Sequence, residues 1–127
     1  MLNTFSLRND TMDEQTSVAY LRSLVDRFCE ERDWQQSPKD LSISMAVEAA
    51  ELLEHFRFRT DKEIEELLQH PHERQAVAHE IADVLYHVLA LASSIDFDIS
   101  AIFRDKMALS ALRYPAPQPA NRDLKAS

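Results

Sequence analysis

The chain has 127 residues, no glycine and a single cysteine. The missing glycine excludes most. A Walker-type phosphate loop and a dinucleotide-binding Gly-rich turn both need backbone that only glycine permits. Tight primed hairpin turns need it too, which argues against an all-β chain. Any phosphate handled here must be met by metal ions and side chains. Cys29 has no partner for an internal disulfide and sits among apolar residues, as a reduced cytosolic core thiol does. A basic stripe is also missing: the 14 Lys and Arg are scattered among 22 Asp and Glu, for a net charge of −8. A duplex binder displaces counterions with such a stripe, so no nucleic acid partner is expected. The longest apolar run, Val84 to Ala92, is interrupted by His87 and too short to cross a bilayer. No charged, apolar and small-residue signal opens the sequence. No membrane partner is expected, and a cytoplasmic location is.

What is present reads as helix throughout. The length allows one domain with one core. Residues 1–13 read as a flexible lead-in, 14–114 as a single helical domain, and 115–127 as a flexible Pro-rich tail. Val18, Leu21, Val25 and Phe28 fall at helical spacing and predict a first helix from Thr16 to about Trp34. Ser37-Pro38-Lys39-Asp40 is a helix start, with serine as N-cap and proline in the first turn, and predicts a second helix to about Phe58. Thr60-Asp61-Lys62-Glu63 repeats that signal before a short helix to Leu68. His70-Pro71-His72 reads as a break, followed by a long helix from about Glu73 to Ser94. After the turn at Asp96-Phe97-Asp98, a last helix runs from Ile99 to about Leu112. Four main helices with short connections predict an all-α four-helix bundle.

Two of these helices carry acids at apolar positions. At about 100° per residue, Leu41, Met45 and Leu52 form one stripe with Glu48 beside it, and Glu51 lies one turn on. Ile43, Ala46, Val47, Ala50 and Leu53 cover the other directions, so burial between neighbours is expected. The long helix repeats this: Val77, Val84 and Leu91 flank Glu80, with Asp83 one turn on. Met45, Phe56, Leu85 and Leu89 are expected in the core. The acids could be surface charges or buried ion pairs, but the same helices offer no base. No Lys or Arg occurs between Ser42 and Phe56, nor between Gln75 and Phe103. An unpaired carboxylate in apolar surroundings costs several kcal/mol or takes up a proton. Four of them converging call for a cation, and a hard divalent ion such as Mg²⁺ or Mn²⁺ suits all-oxygen ligands. A di-iron centre wants Glu-x-x-His on two helices, whereas both motifs here end in an acid.

Glu48-x-x-Glu51 followed by Glu80-x-x-Asp83-Val84-Leu85 resembles the metal motif of the all-α nucleotide pyrophosphohydrolases of the MazG type. The likeness runs from about Leu21 to Pro115 and is nearest the small dCTP pyrophosphatase-like members. Pro38-Lys39-Asp40-Leu41 resembles that family's Pro-Lys-Asn-Leu segment, and Glu51 to Phe58 its Glu-Leu-x-Glu-x-Phe-x-Trp stretch. Lys106-Met107 and Arg113-Tyr114-Pro115 resemble its closing Lys and Arg-Tyr-Pro signature.

The resemblance implies cleavage of a nucleoside triphosphate between the α- and β-phosphates, leaving monophosphate and pyrophosphate. It implies Mg²⁺, or Mn²⁺ in its place, on Glu48, Glu51, Glu80 and Asp83, with Glu48 or Glu51 as the base. Lys39, Lys106 and Arg113 would meet the phosphates; Trp34, Phe58, His87, Ser110 and Tyr114 would surround the base. Phe58 stands where the family has tryptophan, His87 where it often has tyrosine, Asp40 and Ser110 where it has asparagine. A histidine that often precedes Pro-Lys-Asn is absent. These departures bear on which base is taken, with a dCTP-like pyrimidine expected. A homodimer or homotetramer is expected as well. The rival readings are a non-catalytic helical adaptor on the same scaffold and a related dUTP or phosphoribosyl-ATP hydrolase.

Overall fold

A computed structural model describes residues 11–118. The expected flexible segments at residues 1–10 and 119–127 lie outside them. The described residues form helices α1 (Met12–Gln15), α2 (Val18–Glu31), α3 (Pro38–Glu54), α4 (Asp61–Leu67), α5 (Pro71–Ser94) and α6 (Ile99–Arg113), with no strand among them. The all-α class matches the periodicity.

The starts lie where the side chains cap them. Ser37 Oγ accepts from the Asp40 amide at 3.1 Å, with Pro38 opening α3. Thr60 Oγ1 accepts from Glu63 at 3.2 Å and starts α4. Asp98 caps α6 through Ala101 at 3.0 Å. Each cap satisfies an amide that has no carbonyl partner in the first turn. Pro71 is not a break but the first residue of α5, a position where its missing N–H costs nothing. The single turn α1 falls partly within the expected lead-in; four residues are too few to show a period.

Two helix ends form the left-handed turn that glycine usually makes. Asp33 (φ 51°) follows α2 and Asp96 (φ 57°) follows α5. At the first, the amides of Asp33 and Trp34 donate to the carbonyls of Glu30 at 3.2 Å and Cys29 at 2.9 Å. At the second, Asp96 donates to Ser93 at 3.4 Å and Phe97 to Ala92 at 2.9 Å. Both are Schellman motifs, and aspartate is among the few L-residues that tolerate the conformation. The first also carries the motif's apolar contact: the Trp34 and Phe28 rings meet edge to face at 5.5 Å.

By their contacts the described residues fall into two units, one ending at Phe97 and one beginning at Asp98. In the first, α5 packs along α3 and, less extensively, α2. The buried side chains are Val25 of α2, Leu41 of α3, and Val77, Leu89, Ala90 and Ala92 of α5. Arg22 ties α2 to the end of α5: its Nε donates to Ser93 Oγ at 2.9 Å, and its terminal nitrogens donate to the carbonyls of Ala92 and Phe97. A guanidinium there satisfies carbonyls without helical partners and complements the helix dipole.

Expected burial is only partly met within one chain. Leu89 is buried and Met45 and Phe56 are half-buried, but Leu85 is exposed. α3 is not enclosed: Ile43 and Val47 remain 52% and 50% exposed, because α5 is the helix that covers it and lies along one side. The length and composition of α5 would let it cross a membrane, contrary to the reading of its apolar run. It nevertheless carries Glu80 and Asp83 and packs on two helices, as a core helix does. In the second unit α6 buries no residue, and Phe103, Leu109 and Leu112 are exposed.

The turn at Asp33 yields a stability test. Asp33→Gly is expected to stay within about 1 kcal/mol of the parent, whereas Asp33→Val should lose about 1–2 kcal/mol, because a β-branched residue resists positive φ. Urea unfolding of the three proteins measures the difference.

Candidate metal centre

α3 delivers Glu48 and Glu51 and α5 delivers Glu80 and Asp83, each pair one turn apart on its helix. One carboxylate oxygen from each of Glu48, Glu80 and Asp83 lies within 4.8 Å of the others. Glu51 stands outside that set but close enough to raise the Glu48 carboxyl.

The cluster lacks neutralising charge. The ion pairs found among the described residues are Arg32–Glu31 and Arg57–Glu54, neither of which touches it. Oε2 of Glu48 and Oε2 of Glu80 are buried without a hydrogen-bond partner. Burial is the largest influence raising the Glu48 carboxyl above its usual 4.5; the hydrogen bond to Glu51 and the charges of Glu51, Asp83 and Glu80 act the same way. Orphaned oxygens of this kind cost free energy until a cation or proton meets them. An all-oxygen set of acids fits a hard divalent ion such as Mg²⁺ or Mn²⁺.

A cavity of about 670 Å³ opens beside the cluster, lined by Glu48 and Asp83 together with Phe28, Trp34, Tyr86 and His87. Its aromatic residues form one chain of edge-to-face contacts: Trp34 on Phe28 at 5.5 Å, Phe28 on Tyr86 at 6.1 Å, Tyr86 on His87 at 5.0 Å. The Tyr86 hydroxyl lies 3.1 Å from Cys29 Sγ. Burial, then that contact, pushes the phenol up to about 12, so it stays neutral. His87 Nδ1 is 2.7 Å from the carbonyl oxygen of Asp83.

Of the residues singled out in the sequence, Glu48, Glu51, Glu80, Asp83, Trp34 and His87 are thus brought together. Lys39 and Phe58 do not line this cavity. Lys39 is exposed in the first turn of α3, and Phe58 is 81% exposed under the Arg57 guanidinium, 4.1 Å from its ring centre. Lys106, Ser110, Arg113 and Tyr114 belong to the second unit, where Arg113 lies over the Tyr114 ring at 5.3 Å. Sequence reasoning missed Tyr86 and used Phe28 only as part of the helical spacing of the first helix. Tyr86 lies three residues beyond Asp83 and beside His87, a spacing that could have revealed it.

The MazG-like family model matches residues 43–125. Human dCTP pyrophosphatase 1 is 37% identical over 98 residues, covering 76% of this chain and 58% of that protein. The rat protein of the same name is 35% identical over 97 residues, covering 75% and 57%. The chain therefore spans less than two thirds of these relatives. A crystal structure of a pyrophosphatase from Archaeoglobus fulgidus is similar in fold, with a TM-score of 0.69 at 32% identity, over 76% of this chain and 90% of that one.

The raised Glu48 carboxyl fixes the sign of a pH effect. Folding tightens its hold on a proton, so its contribution favours the fold at low pH and is lost as pH rises through the raised value. In metal-free buffer Glu48→Gln should therefore melt above the parent at neutral pH, the gap closing as pH falls below 4.5. Saturating Mg²⁺ should stabilise the parent by about 3 kcal/mol at a hundred times its Kd and leave the variant unmoved. Thermal unfolding across pH, with Mg²⁺ or EDTA, reads both effects.

Proposed function

The chain belongs to the MazG-like family, and from that premise we propose that it hydrolyses nucleoside triphosphates between the α- and β-phosphates. The single observation that carries this reading is the carboxylate cluster with two orphaned oxygens beside an aromatic-walled cavity. Glu48, Glu51, Glu80 and Asp83 would hold Mg²⁺, with Mn²⁺ able to substitute. When bound, the ion neutralises phosphate charge and acidifies a neighbouring water.

The chain's own residues do the rest. Water attacks the α-phosphorus, its oxygen forms the new bond, and pyrophosphate leaves with the bridging oxygen. The water's proton passes to Glu48 or Glu51. Glu48, whose carboxyl is raised above its usual value by burial and by its acidic neighbours, is the better placed of the two to take it. Trp34 and His87 would meet the base from the cavity wall; Phe58 lies outside that cavity, and Ser110 and Tyr114, which the resemblance also gives to the base, belong to the second unit. Lys39, Lys106 and Arg113 would meet the phosphates, where other folds use glycine-rich backbone. The names of the relatives favour a dCTP-like pyrimidine and, with it, housekeeping of the nucleotide pool.

The reading includes self-assembly. Ile43, Val47 and Leu53 of α3 and Ile81 and Leu85 of α5 are exposed large apolar side chains on the two helices that carry the acids. Covering such faces with a second copy supplies the burial that one chain lacks. A homodimer or homotetramer would do so.

Pyrophosphate release from a panel of canonical and modified triphosphates, with Mg²⁺, Mn²⁺ or EDTA, tests the activity. Metal-dependent release is expected, and Glu48→Gln should reduce kcat by about 10²–10⁴-fold while the helical circular dichroism persists. Folded protein silent across the panel with metal present would leave the adaptor reading in its place. Light scattering tests assembly: the parent should exceed monomer mass, and Ile43→Glu with Leu85→Glu should shift it toward monomer.

A further inference from the structure

The cavity beside the acids is lined by a third acid that the hydrolytic mechanism does not use. Glu48 and Asp83 line it and belong to the carboxylate cluster. Asp33 lines it from the connection between α2 and α3 and lies outside that cluster. Neither ion pair found among the described residues involves it. The main chain fixes its place. Asp33 holds the left-handed turn at φ 51°, and its amide donates to the Glu30 carbonyl at 3.2 Å. The next amide, of Trp34, donates to the Cys29 carbonyl at 2.9 Å, so one locked turn sets both residues on the same wall. The indole of Trp34 offers a flat face and an N–H but no acceptor. The Tyr86 hydroxyl is already engaged with Cys29 at 3.1 Å. Once a metal has taken Glu48 and Asp83, the acid left on the wall is Asp33, and a carboxylate only accepts.

We infer that Asp33 is a specificity-determining residue for the sugar: its carboxylate accepts a hydrogen bond from the 3′-hydroxyl of the nucleotide, so that substrates carrying this hydroxyl are chosen over their dideoxy analogues. This rests on the nucleotide reading above. A nucleotide held at the acids by its phosphates and against Trp34 by its base presents its sugar between the two. Asp33 adjoins Trp34 in the chain and shares that wall. A carboxylate near a triphosphate repels it, so the acid opposes binding unless a neutral donor of the substrate meets it. The 3′-hydroxyl of a deoxynucleotide is such a donor whatever the base. A dideoxy sugar presents a C–H there instead, and the charge-assisted bond is lost. Glycine would make the same turn more readily and bring no acceptor.

The experiment compares kcat/KM for dCTP and for its dideoxy counterpart ddCTP, with Mg²⁺ present. The parent should favour dCTP by about ten- to a hundredfold, the worth of one hydrogen bond to a charged group. Asp33→Gly keeps the left-handed turn and removes the acceptor, and should bring the ratio to within about threefold. Asp33→Asn keeps the turn and a neutral acceptor, and should fall between. Loss of a negative charge near the phosphates, or a general disturbance of the wall, acts on both substrates alike and cancels in the ratio. A parent ratio near one, or a ratio unchanged in Asp33→Gly, overturns the inference while leaving hydrolysis intact. Should the parent turn over neither triphosphate, the hydrolytic reading fails. Calorimetric titration of parent and Asp33→Gly with dCMP and ddCMP then decides this one: equal affinities in the parent, or a preference unchanged in the variant, rule it out. If the glycine variant does not fold, Asp33→Asn takes its place in both measurements, and an undiminished preference overturns the inference.

Discussion

Everything in the first unit is arranged around a repulsion. The helix pair that supplies most of the buried side chains, α3 and α5, also sets Glu48 against Glu80 and Asp83, with carboxylate oxygens within 4.8 Å. Apolar packing draws the helices together and like charge drives them apart. Among the described residues no basic side chain pairs with these acids. The conflict shows in the Glu48 carboxyl, which burial and then its acidic neighbours raise above its usual value. It shows too in the partnerless Oε2 atoms of Glu48 and Glu80. A site built this way gives up stability without a ligand and would recover it on binding a cation, which would link occupancy to folding.

The same pair carries the exposed apolar faces. A helix apolar nearly all round can present acids in one direction only if the others are covered, and within one chain they are not: Ile43, Val47, Ile81 and Leu85 remain open. On the proposed reading, assembly and catalysis would be coupled through α3 and α5. A second copy seated on their outer faces would stiffen the helices that must hold four like charges in register.

Much of this was legible in the sequence, for identifiable reasons. Caps act locally, so Ser37 and Thr60 located the starts of α3 and α4 from short windows. The acids stood out because they interrupt apolar stripes and have no Lys or Arg in their own helices. Burial was not legible. The pattern of α3 predicts what must be covered but not whether this chain or another covers it. Aromatic roles were ambiguous for the same reason: Phe28 and Tyr86 have the spacing of core residues, and only the approach of α2 to α5 makes them the wall of a cavity. Phe58 carried a motif match and yet lies outside that cavity in this chain, because α3 ends at Glu54 and the following turn directs the segment outward under Arg57.

The missing glycine connects the fold to the chemistry. Deprived of the residue that makes left-handed turns without cost, the chain uses aspartate at both, and the turn at Asp33 fixes where Trp34 goes. The Trp34 amide is anchored to the Cys29 carbonyl at 2.9 Å and its ring to Phe28, one residue before Cys29. Cys29 meets Tyr86, and Tyr86 meets His87. One helix terminus thereby sets a continuous run of side chains from the end of α2 to the edge of the acid cluster. Where a glycine-rich loop would cradle phosphate with backbone amides, this chain has only side chains to offer. Their positions are held by ring contacts, a thiol and a main-chain carbonyl. The rigidity that a tight loop supplies elsewhere comes here from that sequence of contacts, and a change at Asp33 should be felt at His87 through each of them in turn.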